Sequence, residues 1–352
     1  MSIRMFKYLS PISFYAAGWI SFHHQGFWVW LPMIYAWILI PVLELMIKPS
    51  NRNLDAAETE MAKKSRVYDY LLYLVVPLQF GALYVFLHSL TDTGLSFWDI
   101  TGRTLSMGLF CGTFGINVAH ELGHRNKRYE QLMAKALLAT SLYMHFFIEH
   151  NKGHHKNVST PEDPSSAHYN EPVYTFWFRT IFYSYLSAWK IAADDAVKKG
   201  YKVVSIHNEI LQAQLLQILL ITAVFVIFGT MATVCFLAAA VTGILLLETV
   251  NYIEHYGLNR KKMPNGQYER AMPWHSWNSD HPLGRIMLFE LSRHSDHHYL
   301  ASKKYQTLHH HANAPQLPTG YPGSMLLALL PPVWFKVMNG RIERMETLNV
   351  KR

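Results

Sequence analysis

Six stretches of predominantly apolar residues, 8–22, 27–47, 70–90, 97–119, 211–228 and 231–253, constrain this chain more than anything else in it. Crossing a bilayer takes about 20 such residues as a helix, because lipid offers no hydrogen-bond partner to the backbone. The first stretch is short but extends back to about Ile3. The six fall into three pairs, joined by turns at 23–26, 91–96 and 229–230. The expected fold is therefore an all-α integral membrane protein of six transmembrane helices in three hairpins. Residues 48–69, 120–210 and 254–352 are expected to form a helical and loop-containing cap on one side, the whole of 1–352 making a single domain. With 50% hydrophobic and only 16% charged residues, the chain sits far from soluble domains, which carry roughly 25% charged residues.

Orientation follows from the basic residues, which favour the cytoplasmic side. The three short turns hold no Lys or Arg, and of 32 basic residues only Arg103 falls inside an expected span, near the outer side. Both termini and the long segments are thus expected on the cytoplasmic side, with the chain multi-pass in the membrane. The first apolar stretch lacks a small-residue cleavage site and reads as a retained helix rather than a signal peptide. A net charge of +8 spread along the chain, without a recognisable binding module, does not suggest nucleic acid. Cys111 and Cys235 both lie in apolar stretches, where buried thiols are expected, and two cysteines cannot build a thiolate metal site.

The 20 histidines point to metal. His120-Glu-Leu-Gly-His124 places two imidazoles on one helix face at i, i+4. His150-Asn-Lys-Gly-His154-His155 repeats the spacing, and Arg293-His294-Ser-Asp-His297-His298 gives a third cluster. His255 stands alone at the end of the sixth stretch, in Asn251-Tyr-Ile-Glu-His255-Tyr-Gly257. Nine imidazoles are too many for one tetrahedral zinc, whose catalytic sites use three protein ligands, and suit two transition metals with open positions. Imidazole alone does not select the metal. Glu121, Glu149, Glu254 and Asp296 accompany the clusters, and Glu248 and Asn251 share a helical stripe with His255. These six are expected behind the ligands, accepting hydrogen bonds from their outer nitrogens. The triplet His309-His310-His311 reads as solvated surface.

Two other classes must be weighed. His120-Glu121-x-x-His124 is also the zinc-protease pattern, with Glu as general base, but even with one further ligand it leaves six of the nine histidines without a role. A transporter would place its polar residues near mid-membrane, whereas here they gather at one end.

The four motifs HELGH (120–124), EHNKGHH (149–155), NYIEHYG (251–257) and RHSDHH (293–298) resemble those of the bacterial membrane alkane 1-monooxygenases, or alkane hydroxylases. TPEDP (160–164), HSWNSDH (275–281), KYQTL (304–308) and APQLPTGYPG (314–323) look like segments of the same family. The resemblance runs from about residue 30 to 345. Fatty-acid desaturases and sterol-type hydroxylases share looser histidine boxes but lack the isolated HYG element and RHSDHH; xylene monooxygenases are nearer. Arg125 after the first box, Lys152 and the histidine triplet depart mildly from the family pattern.

The resemblance implies a non-haem di-iron enzyme that uses O2 to hydroxylate the terminal methyl of a medium- or long-chain n-alkane. It implies two Fe ions held by His120, His124, His150, His154, His155, His255, His294, His297 and His298. It also implies electrons from rubredoxin, with a nicotinamide-dependent rubredoxin reductase behind it. No side chain is expected as a catalytic acid or base, since an uncharged C–H bond offers such groups nothing to act on. The alkane would come from the bilayer, with Trp37, about mid-way along the second stretch, limiting how far it can extend. Lys152, Lys156, Arg260, Lys261, Lys262, Lys303 and Lys304 offer a basic cytoplasmic face for an acidic carrier.

Overall fold

A computed structural model describes residues 3–350, and among these no strand occurs. Two compact units make up the chain, each assembled from three separated segments. The first comprises Met1–Leu39, Ser65–Lys152 and Tyr185–Leu247; the second comprises Ile40–Lys64, Gly153–Ser184 and Glu248–Arg352. Helix α1 (Ile12–His23) is followed by the helical run α2 (Gly26–Met46), then α3 (Ala56–Lys64) and α4 (Val67–Ser89). Helix α5 (Phe97–Phe110) passes through a π-helical turn, Cys111–Ile116, into α6 (Asn117–Gly123). Further on come α7 (Arg128–Thr140), α8 (Val173–Lys198), α9 (Glu209–His255), α10 (Pro282–Met287), α11 (His294–Tyr299), α12 (Tyr321–Ala328) and α13 (Pro331–Val350). Pro331 and Pro332 open α13, where the missing N–H costs nothing.

Three runs are long and apolar enough to cross a membrane: α2, α4 and α9. Within α9, Gly229 has φ +81°, a left-handed conformation that only glycine adopts readily. It separates two apolar halves where the sequence places a turn. The fourth expected stretch is helical throughout, divided by the π turn.

In the first unit one end is tied by polar groups from the short turns. Ser96 and Asp99 form a capping box at the start of α5, and Asp99 also accepts from the Gly26 N–H at 2.6 Å. Arg103, nearly fully buried, donates to the Ser89 carbonyl at 2.7 Å and the His24 carbonyl at 2.8 Å. These carbonyls close α4 and α1, where helix ends carry partial negative charge. Both terminal nitrogens of the buried guanidinium thereby find acceptors at helix ends. At the other end of α4, Asp69 lies 3.6 Å from Arg125, so α4 runs antiparallel to the α5–α6 run.

Glycines let α5 approach the later half of α9. Gly108 and Gly112 are spaced as small-xxx-small, the pattern that permits close helix contact in membranes. A Cβ on Gly243 would lie 2.9 Å from the Gly112 backbone nitrogen. In the second unit, the buried Glu44 near the end of α2 accepts from the Gly284 N–H at 2.8 Å, and a Cβ on Gly320 would overlap its carboxylate.

Gly243→Val forces backbone apart and should destabilise by about 1–3 kcal/mol, as overpacking does. Gly81→Ala, where a Cβ meets nothing within 4 Å, should leave stability unchanged or raised. Thermal unfolding in detergent reads both; equal melting temperatures for the two variants would refute the close approach.

Candidate metal centre

In the second unit four imidazoles converge. His154, His255, His294 and His298 are all buried, and their ligand atoms lie within 4.8 Å of one another. His154 arrives on the last residue of a π-helical turn, His150–His154, and His255 ends α9. His294 and His298 sit one turn apart on α11, at i, i+4. The Nε2 atoms of His154 and His298 are 3.2 Å apart, as are those of His294 and His255.

The outer nitrogens explain why these are not ordinary hydrogen bonds. Nδ1 of His154 lies 2.9 Å from the Asp163 carboxylate, and Nδ1 of His294 lies 3.2 Å from Glu254. The His154 Nδ1–H is thus directed at a carboxylate, which leaves its Nε2 lone pair pointing inward. Burial, reinforced by the surrounding imidazoles, pushes the His298 pKa well below the usual imidazole range. Neutral imidazoles with lone pairs facing each other fit a cation between them. Ligand bonds of about 2.1 Å put neighbouring nitrogens roughly 3 Å apart around one ion, which is the spacing found.

The carboxylates are themselves held. Asp163 also accepts from Ser166 Oγ at 2.6 Å and from the Ser165 N–H at 3.1 Å. Burial alone would raise its pKa, but His154 and the Ser166 hydroxyl overcome that and keep it low. Glu254 accepts from the fully buried Tyr321 hydroxyl at 2.6 Å. His155 and His297, in the same unit, form a further pair with Nε2 atoms 3.1 Å apart.

In the first unit His120 and His124 end α6, and His150 joins them. Nε2 of His124 is 3.1 Å from that of His150, and the His120 and His150 ring centroids are 4.4 Å apart. Phe146 stacks on His150 at 4.6 Å. The π turn that precedes α6 carries the Cys111 carbonyl, which accepts from Ser141 Oγ at 3.0 Å. Glu121 pairs with Arg125 at 2.6 Å, so the residue that a zinc protease would use as its base is committed to an ion pair.

The other expected supporting residues lie as follows. Ser187 Oγ donates to Glu149 at 3.4 Å. Glu248 accepts from Thr180 Oγ1 at 2.9 Å and from Asn251 at 3.1 Å. Asp296, fully buried, pairs with Lys303 at 2.7 Å, and His311 and the His309 N–H also bind it. Burial opposes ionisation of Asp296, and Lys303 with these donors outweighs it. Trp37 is half-buried within the π-helical turn Tyr35–Leu39 of α2.

Several partners were not evident from sequence. The histidine triplet is not solvated surface: His310 binds Asp280 at 2.7 Å, and His311 binds Asp296 at 2.7 Å. Arg293 is buried and donates to the Leu308 and Arg52 carbonyls at 2.7 and 2.9 Å, fixing the start of α11. Asp163 and Tyr321 lie in segments marked only by family resemblance, with no local pattern announcing a partner. Three residues of the expected basic face are engaged internally: Lys152 with Asp195, Lys303 with Asp296, and Arg260 with the Glu269 and Lys156 carbonyls.

A helical chain with apolar spans and buried imidazoles backed by carboxylates is the design of the membrane desaturase class, and residues 96–325 match the Fatty acid desaturase family. Within that class the chain belongs to the alkane 1-monooxygenase family. It is 37% identical to Alkane 1-monooxygenase 1 of Alcanivorax borkumensis over 90% of this chain and 78% of that protein. Identity to the Alkane 1-monooxygenase of Pseudomonas putida is 38%, covering 92% and 79% respectively. The xylene/toluene monooxygenase hydroxylase component of Pseudomonas putida is 26% identical, over 94% of this chain and 86% of that one.

Asp163→Ala should weaken metal retention ten- to hundredfold, the usual effect of removing a carboxylate behind a ligand histidine, with helix content unchanged. Chelator titration of the purified protein, followed by metal analysis, measures it; wild-type retention would mean that Asp163 does not orient His154.

Proposed function

We propose that this enzyme hydroxylates the terminal methyl of medium- or long-chain n-alkanes to 1-alkanols, using O2 and electrons from rubredoxin. The observation that carries the reading is the buried four-imidazole cluster, its ligand atoms within 4.8 Å of one another, in a chain whose relatives are named alkane 1-monooxygenases. The balance is one alkane, one O2, two electrons and two protons giving one 1-alkanol and one water. Bound iron supplies the O2 activation that an uncharged C–H bond requires, since no acid or base side chain can attack it.

The residues have separable tasks. Two irons are held by the nine histidines His120, His124, His150, His154, His155, His255, His294, His297 and His298, with His154, His255, His294 and His298 together on one of them. Asp163 keeps His154 in the Nδ1–H form, so that Nε2 is available to metal, and Glu254 lies 3.2 Å behind His294. Six membrane-spanning helices carry the site at their cytoplasmic ends in the inner membrane, and the alkane, which concentrates in lipid, enters from the bilayer. Trp37 sets the depth available to the chain. Lys156, Lys261 and Lys262, all exposed, remain for attraction of an acidic carrier, whose association should slow as salt rises.

The alkane reading is favoured over an alkyl-aromatic one by the 37–38% identity to alkane enzymes against 26% to the xylene enzyme. Metal analysis with turnover of octane, hexadecane and xylene by a rubredoxin-reconstituted preparation tests it. Two irons per chain and O2-dependent 1-alkanol are expected. One zinc without an oxygenated product, or xylene turned over in preference to both alkanes, would sink the proposal. Trp37→Ser should extend the accepted alkanes to longer chains with little loss of rate on the shorter ones; an unchanged chain-length profile removes Trp37 from that role.

A further inference from the structure

Helix α8 lies in a segment that the sequence assigns wholly to the cytoplasm, yet its surface does not suit water. One face is buried at every fourth residue: Phe176, Thr180, Ser184, Ala188, Ala192 and Ala196. The opposite face carries Tyr174, Phe178, Phe182, Tyr183 and Leu186, of which Phe178 is 81% and Phe182 58% exposed. From Lys190 onward that face turns polar, with Lys190, Asp194 and Lys198 exposed. A soluble surface seldom leaves so many large apolar side chains contiguous without a covering partner.

The contacts of α8 fix its depth. In the second unit, Trp177 Nε1 donates to Thr249 Oγ1 at 3.1 Å, Thr180 Oγ1 donates to Glu248 at 2.9 Å, and Phe176 meets the Tyr252 ring at 5.4 Å. In the first unit, Ala188 and Ala192 pack with Ile148 and Ile210. Residues 248–252 are the last turns of one apolar half of α9, and Ile210 is at the beginning of the other. The helix is therefore held where α9 leaves hydrocarbon, with its aromatic face turned away from the protein.

We propose that α8 is an interfacial helix whose Tyr174–Leu186 outer face is covered by the lipid bilayer, while the stretch from Lys190 emerges into water. An apolar face continuous with a spanning helix, tyrosines at the headgroup level and charge beyond them form the pattern of a segment lying in the membrane surface. The inference rests on α9 crossing the bilayer.

The test uses the full chain in nanodiscs of phosphatidylcholine and phosphatidylglycerol. Single cysteines at Phe178, Phe182, Asp194 and, on α9, at Val226 (74% exposed) are spin-labelled; Cys111 and Cys235 are buried, and the unsubstituted chain serves as the blank. Collision with lipid-soluble O2 is compared with collision with a water-soluble nickel chelate. The oxygen-to-nickel ratio should be several-fold higher at Phe178→Cys and Phe182→Cys than at Asp194→Cys, and similar to that at Val226→Cys. Ratios at 178 and 182 equal to that at 194 place α8 in water and overturn the proposal, provided that 226 reads lipid. Low collision with both reagents at 178 and 182 overturns it in favour of a protein cover, such as a second copy. A water-like ratio at 226 as well overturns the membrane reading of α9 itself.

Discussion

Imidazole nitrogens are brought to within 3.1–3.2 Å of one another in pairs, and holding them there governs the layout of the second unit. Each ring must be neutral, and its outer N–H needs an acceptor strong enough to fix the tautomer. Buried carboxylates supply that, but a buried carboxylate is costly unless its own oxygens are satisfied. Hence Asp163, which receives the His154 ring, is held by Ser165 and Ser166, and Glu254, behind His294, by Tyr321. The demand made by the His154 ring is thus passed outward through two layers before it reaches solvent.

That demand also explains why the tail is tied so firmly. Helix α11 is only six residues long and cannot be stable alone, yet it must hold ligand-bearing side chains to a fraction of an ångström. Arg293 supplies the stiffness, reaching the Leu308 and Arg52 carbonyls and Asn53, so a segment 240 residues earlier anchors it. Glu44 repeats the device at the end of α2, its carboxylate received by the Gly284 N–H and packed against Gly320. Short elements can thus present a rigid site because charged groups pin their ends to distant backbone.

What was legible in the sequence was what is local. HELGH and RHSDHH announce clustered imidazoles because i, i+4 puts two rings on one face, and the glycine at 229 marks a break in an apolar run. The carboxylate behind each ligand is different: Glu254 is adjacent to His255 in the chain but serves His294, and Tyr321 reaches it from 67 positions away. Glu248 and Asn251, expected behind His255 by helical phase, are engaged with Thr180 and with each other, Glu248 accepting from both Thr180 and Asn251. Phase says which face a residue occupies, not which neighbour fills the space opposite. The π turns at Tyr35–Leu39 and Cys111–Ile116 were invisible, since the phase shift that one extra residue causes does not show in a run that is apolar on every face. The exposed aromatics of α8 escaped because orientation was read from Lys and Arg, which report the side of a segment and not its depth.

The same distinction bears on the net charge of +8. A basic excess read along the chain suggests a broad positive face, but in space Lys152, Lys303, Arg125, Arg179 and Arg285 are each paired with a carboxylate. Such pairs build the site and its surroundings and contribute little field at a distance. Lys156, immediately after the second histidine motif, and Lys261 and Lys262, soon after His255, are exposed. Charge concentrated beside the ligand motifs orients an approaching acidic partner more sharply than the same charge spread over the whole face, because screening at physiological salt limits its reach to about 8 Å. The basic excess is therefore best understood as two populations, one structural and one available for steering, and only the second can set an association rate.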